Sequence, residues 1–168
     1  MKRPWPFTRP QPLVLTGIYL APQAGEAMHA VEFADAIGGL GLSGDRYCEN
    51  RGFWKATDAC QVTLIGSRDL VRSRRRAPEN QRERLLHGHH RRNLVVGGLH
   101  AQMLENMRFR IGSAVFVYRK PRPPCGYLDR IEGTGLCRAL GRQSGICIEV
   151  LESGRLTVGD TIELIGPR

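Results

Sequence analysis

The sequence predicts an α+β fold that is mainly β: a compact β-barrel-like domain with a few short helices. Three observations predict it. Short runs rich in branched and aromatic residues recur between glycine and proline turns, while helical patterns are few and short. Two stretches, RFRIGSAVFVY (Arg108 to Tyr118) and RLTVGDTIELI (Arg155 to Ile165), share Arg, an apolar residue, a polar one, an apolar one, Gly, then Ser or Asp. Each reads as a strand, a glycine-centred turn and a second strand. Finally, 168 residues are enough for one domain with its own core, and nothing marks a second.

The elements follow in order. Residues 1–12, MKRPWPFTRPQP, have the basic start of a signal peptide but no apolar core, and four prolines interrupt them. They read as an extended lead-in to a single domain over 13–168. PLVLTGIYLAP is a strand closed by proline. MHAVEFADAI alternates in part and leads into a glycine-rich loop, GGLGLSGDRY. CQVTLIG is a second strand. SRDLVRSRRR begins a helix with Ser67 as its N-cap, and APENQRERLLHG is a better helix, with Pro78 near its start and Gly88 at its end. RNLVVGGL and GICIEVLESG are strands. GTGLCRALGRQSG between the last two repeat-bearing segments is a short helix capped by Thr134 and stopped near Gly141.

The net charge of +9 favours anionic partners: phosphates, nucleic acid, acidic membranes or an anionic cofactor. No apolar run is long enough to span a membrane, so a cytoplasmic protein is expected. The five cysteines are odd in number and form no C-x-x-C pair. Reduced thiols are expected rather than a disulfide framework or a ribbon-type zinc site. Cys137 and Cys147 lie in apolar surroundings and read as core, while Cys48 and Cys60 stay undecided.

Cys125 differs from them. It follows Pro123 and Pro124, with Arg119, Lys120 and Arg122 just before. Nearby cations favour the thiolate, which is the nucleophilic and metal-binding form. A plain turn cysteine is the competing reading. HGHHRRNLVV holds three histidines and two arginines around Asn93 at a helix-to-strand junction. It could be an anion pocket, since the planar arginine fork suits phosphate, or a solvated basic loop. Zinc is disfavoured because no second tight ligand pair exists. GLSGDRY lets backbone amides approach a ligand, or is simply a tight turn with an Asp45–Arg46 pair. The arginines from Arg68 to Arg92 could contact nucleic acid, but no aromatic residue lies among them for stacking on bases. Walker and serine-hydrolase motifs are missing.

The ordered set GLSGDRY, QVTLIG, RRNLVVGGL, FRIGSAVFVYRKPRPPC and SGRLTVGDTIEL, within a likeness running from about Leu13 to the end, resembles the MOSC family, the domain found at the C-terminus of molybdenum cofactor sulfurases. The order carries the likeness, with Pro-Cys after the strand that follows IGSA. The resemblance implies a compact β-barrel that binds molybdenum cofactor (molybdopterin) or handles sulfur destined for it. It implies that Cys125 is the family cysteine: a molybdenum ligand in amidoxime-reducing members, a carrier of sulfur in sulfurase members. It also implies that Arg91, Arg92 and Asn93 contact the pterin and its phosphate, with Arg46 a further candidate.

The function so implied is a small reductase of N-hydroxylated or N-oxide compounds, with molybdenum held by Cys125. It would need a small-molecule substrate and an external electron donor protein. The alternative is a sulfur carrier or cofactor chaperone that takes a persulfide on Cys125 from a cysteine desulfurase. A basic nucleic-acid binder comes third. The chain departs from full sulfurases in lacking the aminotransferase-like domain. Its three lysines, Lys2, Lys55 and Lys120, offer no evident site for pyridoxal phosphate. It also lacks the N-terminal extension of the amidoxime reducers, and so resembles the small stand-alone bacterial type. The stretch from Asn50 to Ala59 and the arginine-rich helices match no family motif.

Overall fold

The computed structural model describes residues 10–53 and 60–168. Most of the expected lead-in and residues 54–59 lie outside the described residues. The strands are Val14–Leu20 (β1), His29–Val31 (β2), Phe33–Ile37 (β3), Gly41–Leu42 (β4), Val62–Gly66 (β5), Leu94–Gly97 (β6), Met107–Ile111 (β7), Ala114–Pro121 (β8), Ile146–Glu152 (β9), Gly154–Thr157 (β10) and Ile162–Pro167 (β11). The α-helices are Ser67–Arg76 (α1), Gly126–Glu132 (α2) and Leu136–Leu140 (α3). The fold is the mainly β, α+β architecture that the sequence predicts, with a curled half-barrel sheet and a few short helices.

The large sheet runs β11-β7-β8-β9-β5-β6-β1-β2, and a small one runs β10-β3-β4. The curl brings β11 back to β1. Leu15 N–H donates to Asp160 O and Ile162 N–H to Leu13 O, both at 2.8 Å, around a bridge between Val14 and Thr161. β5 and β6 are parallel, and the crossover between them carries α1. Their alternate residues serve two cores, because successive side chains point to opposite faces. Val62, Leu64, Leu94 and Val96 join Phe109, Phe116 and Ile148 inside the curl. Ile65 and Val95 face outward under α1 and α3, against Leu70, Leu85, Leu136 and Leu140.

Four expectations need correction. The N-cap of α1 is Gly66, not Ser67. A Cβ at Gly66 would lie 2.1 Å from Leu99 O, so only glycine fits there. The cap is made by Asp69, whose Oδ2 accepts the N–H of Gly66 at 3.0 Å and of Ala101 at 2.8 Å. The segment read as a better helix forms two short 3-10 turns, Glu79–Gln81 and Arg84–His87, although it does end at Gly88 in the left-handed region. Only Gln81 and Leu85 of these turns are buried, too little apolar surface to hold a longer helix on the core. The N-cap of α3 is Gly135 rather than Thr134, and Asp129 of α2 caps the helix by accepting the N–H groups of Gly135 and Cys137. Lastly, Cys60 and Cys147 form a disulfide, where free thiols are expected. Cys147 is buried, as its surroundings suggest. The two cysteines are 87 residues apart, and the antiparallel pairing of β5 with β9 brings them together.

The repeated pattern also splits. β7 and β8 form an antiparallel hairpin, but β10 pairs with β3 and β11 with β7. The second turn is clamped by its neighbours: Val158 N–H donates to Glu32 O, and Gly159 N–H to Leu15 O. This sends its two strands into different sheets.

Candidate functional site

One cleft gathers residues from five places in the chain. Arg46 and Tyr47 come from the turn after β4, Arg91 and Arg92 from the approach to β6, Arg122 to Cys125 from the arm after β8, and Tyr127 and Leu128 from α2. Phe53 stacks on Tyr127 at the rim, ring centroids 4.0 Å apart. Of the residues singled out in the sequence, Arg46, Arg91, Arg92 and Cys125 therefore meet in one place.

Cys125 is exposed and stands at the N-cap of α2 with extended backbone. Its carbonyl accepts the N–H of Leu128 at 2.9 Å. The arm that carries it is anchored just upstream. Arg122 N–H donates to Gly145 O at 2.8 Å, its Nη2 donates to Tyr47 Oη at 3.2 Å, and its carbonyl accepts Nη2 of Arg92 at 2.9 Å. Pro123 and Pro124 then restrict the backbone up to the thiol. Of the three cations that precede this arm, only Arg122 lines the cleft. Arg119 pairs with Glu149 across the sheet, and Lys120 is exposed.

Arg91 has left-handed backbone, φ 59°, a conformation that costs a non-glycine residue about 1–2 kcal/mol. His90 holds this corner. It is fully buried, and its Nδ1 accepts the N–H of Arg92 at 2.9 Å. Nδ1 is therefore unprotonated and Nε2 carries the hydrogen, with the ring standing edge-on to Tyr19. Burial, then the charges of Arg92 and His89, push the His90 pKa down to about 3.

The corner turns the arginines into the cleft. Arg91 Nη1 donates to Glu26 O at 2.7 Å and Glu132 Oε1 at 3.1 Å, while its Nη2 is buried without a partner among the described residues. Burial and the nearby Arg46 lower its pKa against the opposing pull of Glu132. Arg92 is also buried. Desolvation and then Arg122 lower its pKa to about 10, with Tyr47 and Cys125 pulling the other way. Arg46, also buried, pairs with Asp45 at 3.1 Å and lies over the Tyr47 ring. Among the described residues four guanidinium groups thus face two carboxylates, Asp45 and Glu132. Glu132 is further shared with Arg84 and His89. Buried charge without compensation is costly. The arrangement suits an anion, and arginine forks suit phosphate.

Asn93 goes elsewhere. Its Oδ1 accepts from Thr63 N–H at 3.1 Å and Oγ1 at 3.0 Å, its own N–H donates to Thr63 Oγ1 at 2.9 Å, and its Nδ2 donates to Tyr19 O at 3.1 Å. These bonds join β1, β5 and β6, and Asn93 does not line the cleft. The histidines disperse too: His90 is in the core and His89 is on Glu132. Among the described residues no three His, Cys, Asp or Glu side chains gather to hold a metal. Tyr47, Phe53, Tyr127 and Glu132 escaped the sequence reading. The last two lie on α2, whose spacing of Tyr127, Leu128 and Ile131 was the available signal.

The MOSC domain family model matches residues 53–163, about two thirds of the chain. None of the curated proteins matches. Among solved structures, YiiM from Escherichia coli superposes with a TM-score of 0.72 at 18% identity, over 95% of this chain and 72% of that one. The YUAD protein from Bacillus subtilis gives 0.66 at 17%, over 90% and 95%. YiiM from Geobacillus stearothermophilus gives 0.63 at 16%, over 92% and 75%. The chain spans 66% of the length of a further match, described only as a hypothetical protein.

Proposed function

This chain belongs to the MOSC domain family, and from that premise we propose that it binds molybdenum cofactor in the arginine-lined cleft and works as a small reductase of N-hydroxylated or N-oxide compounds. The observation that carries the reading is the surplus of buried guanidinium charge around an exposed thiol, with Arg91 Nη2 left without a partner among the described residues. An anionic, phosphate-bearing group offsets that charge, and a soft metal centre takes a thiolate ligand. The residues present therefore fit the cofactor.

Arg91, Arg92 and Arg46 would grip the phosphate and pterin, and Cys125 would ligate the metal. When bound, the cofactor would supply the two-electron redox chemistry of the substrate reduction. The protein's own part is positioning. Glu132 and Glu26 O fix the Arg91 fork, Asp45 fixes Arg46, and the Arg122 anchor presents Cys125. Tyr47, Phe53 and Tyr127 form an aromatic wall that narrows access. An external electron donor is required.

Molybdenum and pterin content, measured after purification from a cofactor-competent host, tests the reading. Wild type should carry both, Cys125→Ala should lose metal, and Arg91→Ala should lose both. Loaded wild type should also oxidise reduced viologen when given N-hydroxylated substrates. Pterin without metal in both wild type and Cys125→Ala would favour the sulfur-carrier role instead. A persulfide on Cys125, seen by mass spectrometry after incubation with a cysteine desulfurase, would then be expected.

A further inference from the structure

We propose that Cys125 and Cys137 form a redox-active dithiol, a modification site that reacts with peroxide-type two-electron oxidants and closes to a reversible disulfide. The placement of the two thiols carries this. Cys125 ends an arm, residues 122–125, that has no regular secondary structure, and a Cβ built on the next residue, Gly126, meets nothing within 4 Å. The thiol is exposed and has room to move. Cys137 lies in the first turn of α3, and its N–H donates to Asp129 Oδ1 at 2.7 Å. Asp129 lies in α2 four residues beyond Cys125, the N-cap of that helix, so its carboxylate holds the start of α3 about one helical turn from Cys125. Asp129 thereby holds the backbone of Cys137 near the end of α2 that carries Cys125.

The electrostatics agree with this placement. The Cys137 thiol is pushed up by burial, then by Asp129 and Cys125, while Arg92 pulls it down, so it feels both Cys125 and the cleft arginine. The remaining cysteines are differently placed. Cys60 and Cys147 are already joined, and Cys48 is held up by burial and by the acidic pair Glu49 and Asp45. The two partners divide the work: exposed Cys125 meets the oxidant, and half-buried Cys137 resolves it.

The chemistry balances. The Cys125 thiolate attacks one oxygen of hydrogen peroxide; an S–O bond forms, the O–O bond breaks, and the departing hydroxide takes a proton to become water. The Cys137 thiolate then attacks the sulfenic sulfur; an S–S bond forms, the S–O bond breaks, and a second water leaves. Two thiols lose two electrons and peroxide gains them. Closure needs the two Cα atoms within about 7 Å, a separation that the arm carrying Cys125 must accommodate. The closed form withholds the thiol from any metal and protects it from irreversible oxidation. None of this depends on whether the cleft takes molybdenum cofactor.

The test uses the full, cofactor-free chain, treated briefly with hydrogen peroxide, alkylated and digested. Trypsin cuts after Arg130 and Arg138, which puts the two cysteines on separate peptides. A Cys125–Cys137 cross-linked peptide that dithiothreitol releases, with Cys48 still alkylatable, is the expected result. In Cys137→Ser the cross-link should vanish and Cys125 should advance to sulfinic acid. Sulfinic acid on Cys125 of the wild type with Cys137 still free, or a cross-link from Cys125 to Cys48, would overturn the proposal. The wild-type result stands even if the variant folds poorly, and it is read without any cofactor.

Discussion

Mild acid should destabilise this protein through a single buried histidine. His90 is fully buried and accepts the Arg92 N–H at Nδ1, so protonation costs both a buried charge and a hydrogen bond. Its pKa is about 3 in the fold against 6.5 in the unfolded chain. Because the folded value is the depressed one, the stabilisation is fully present above about pH 6.5. It is lost as pH falls, when the unfolded chain takes up a proton that the fold refuses. The loss levels off only near pH 3. At pH 4.5 the unfolded state is protonated and the folded state is not. The difference from pH 7 is on the order of 2–3 kcal/mol from this group alone. The assay is urea unfolding at pH 7 and pH 4.5, with the disulfide intact, for wild type and His90→Asn. Asparagine offers an oxygen where Nδ1 accepts but does not titrate. Carboxylates lower stability in both proteins, so the difference isolates His90. An equal loss in both would refute the reasoning.

Thr63→Val should cost about 1–3 kcal/mol, because it strands the buried Asn93 N–H and one lone pair of Oδ1; chemical denaturation measures it, and a neutral effect would mean that water or another group replaces the hydroxyl. Reduction of Cys60–Cys147 should lower stability by about 4–5 kcal/mol in the chain-entropy view for a separation of 87 residues; unfolding with and without dithiothreitol, in the Cys125→Ser background, measures it.

The strands were legible because their apolar residues are local and periodic. VTLIG is buried at every position, as a central strand is. The hairpin of β7 and β8 was legible for the same reason, while the fate of β10 and β11 depends on which neighbours clamp their turn. α2 was hidden. It opens on Pro-Pro-Cys-Gly, which reads as a turn, and it is held by packing of Leu128 and by the ties of Glu132 rather than by propensity. The opposite error fell on residues 77–88, where good helix formers lack a surface to bury. The disulfide joins residues that no sequence spacing relates. Cys125 and the arginine pair drew notice by residue type and by resemblance. Their convergence with Arg46 is a property of the closed sheet. Asn93 sits in the same run of sequence as Arg91 and Arg92, yet its side chain stitches strands and does not line the cleft.

Helix α2 has Cys125 at its front end and Glu132 at its back end, and Glu132 holds Arg91. Seven helical residues make a stiff strut of about 10 Å. A ligand that seizes the thiol stills the strut, and so steadies the carboxylate and the guanidinium at its far side. A ligand that seizes Arg91 steadies the thiol in return, by the same amount of free energy. Thiol and arginine are then the two jaws of one clamp, and a variant that loosens the packing of α2 weakens both grips without touching either.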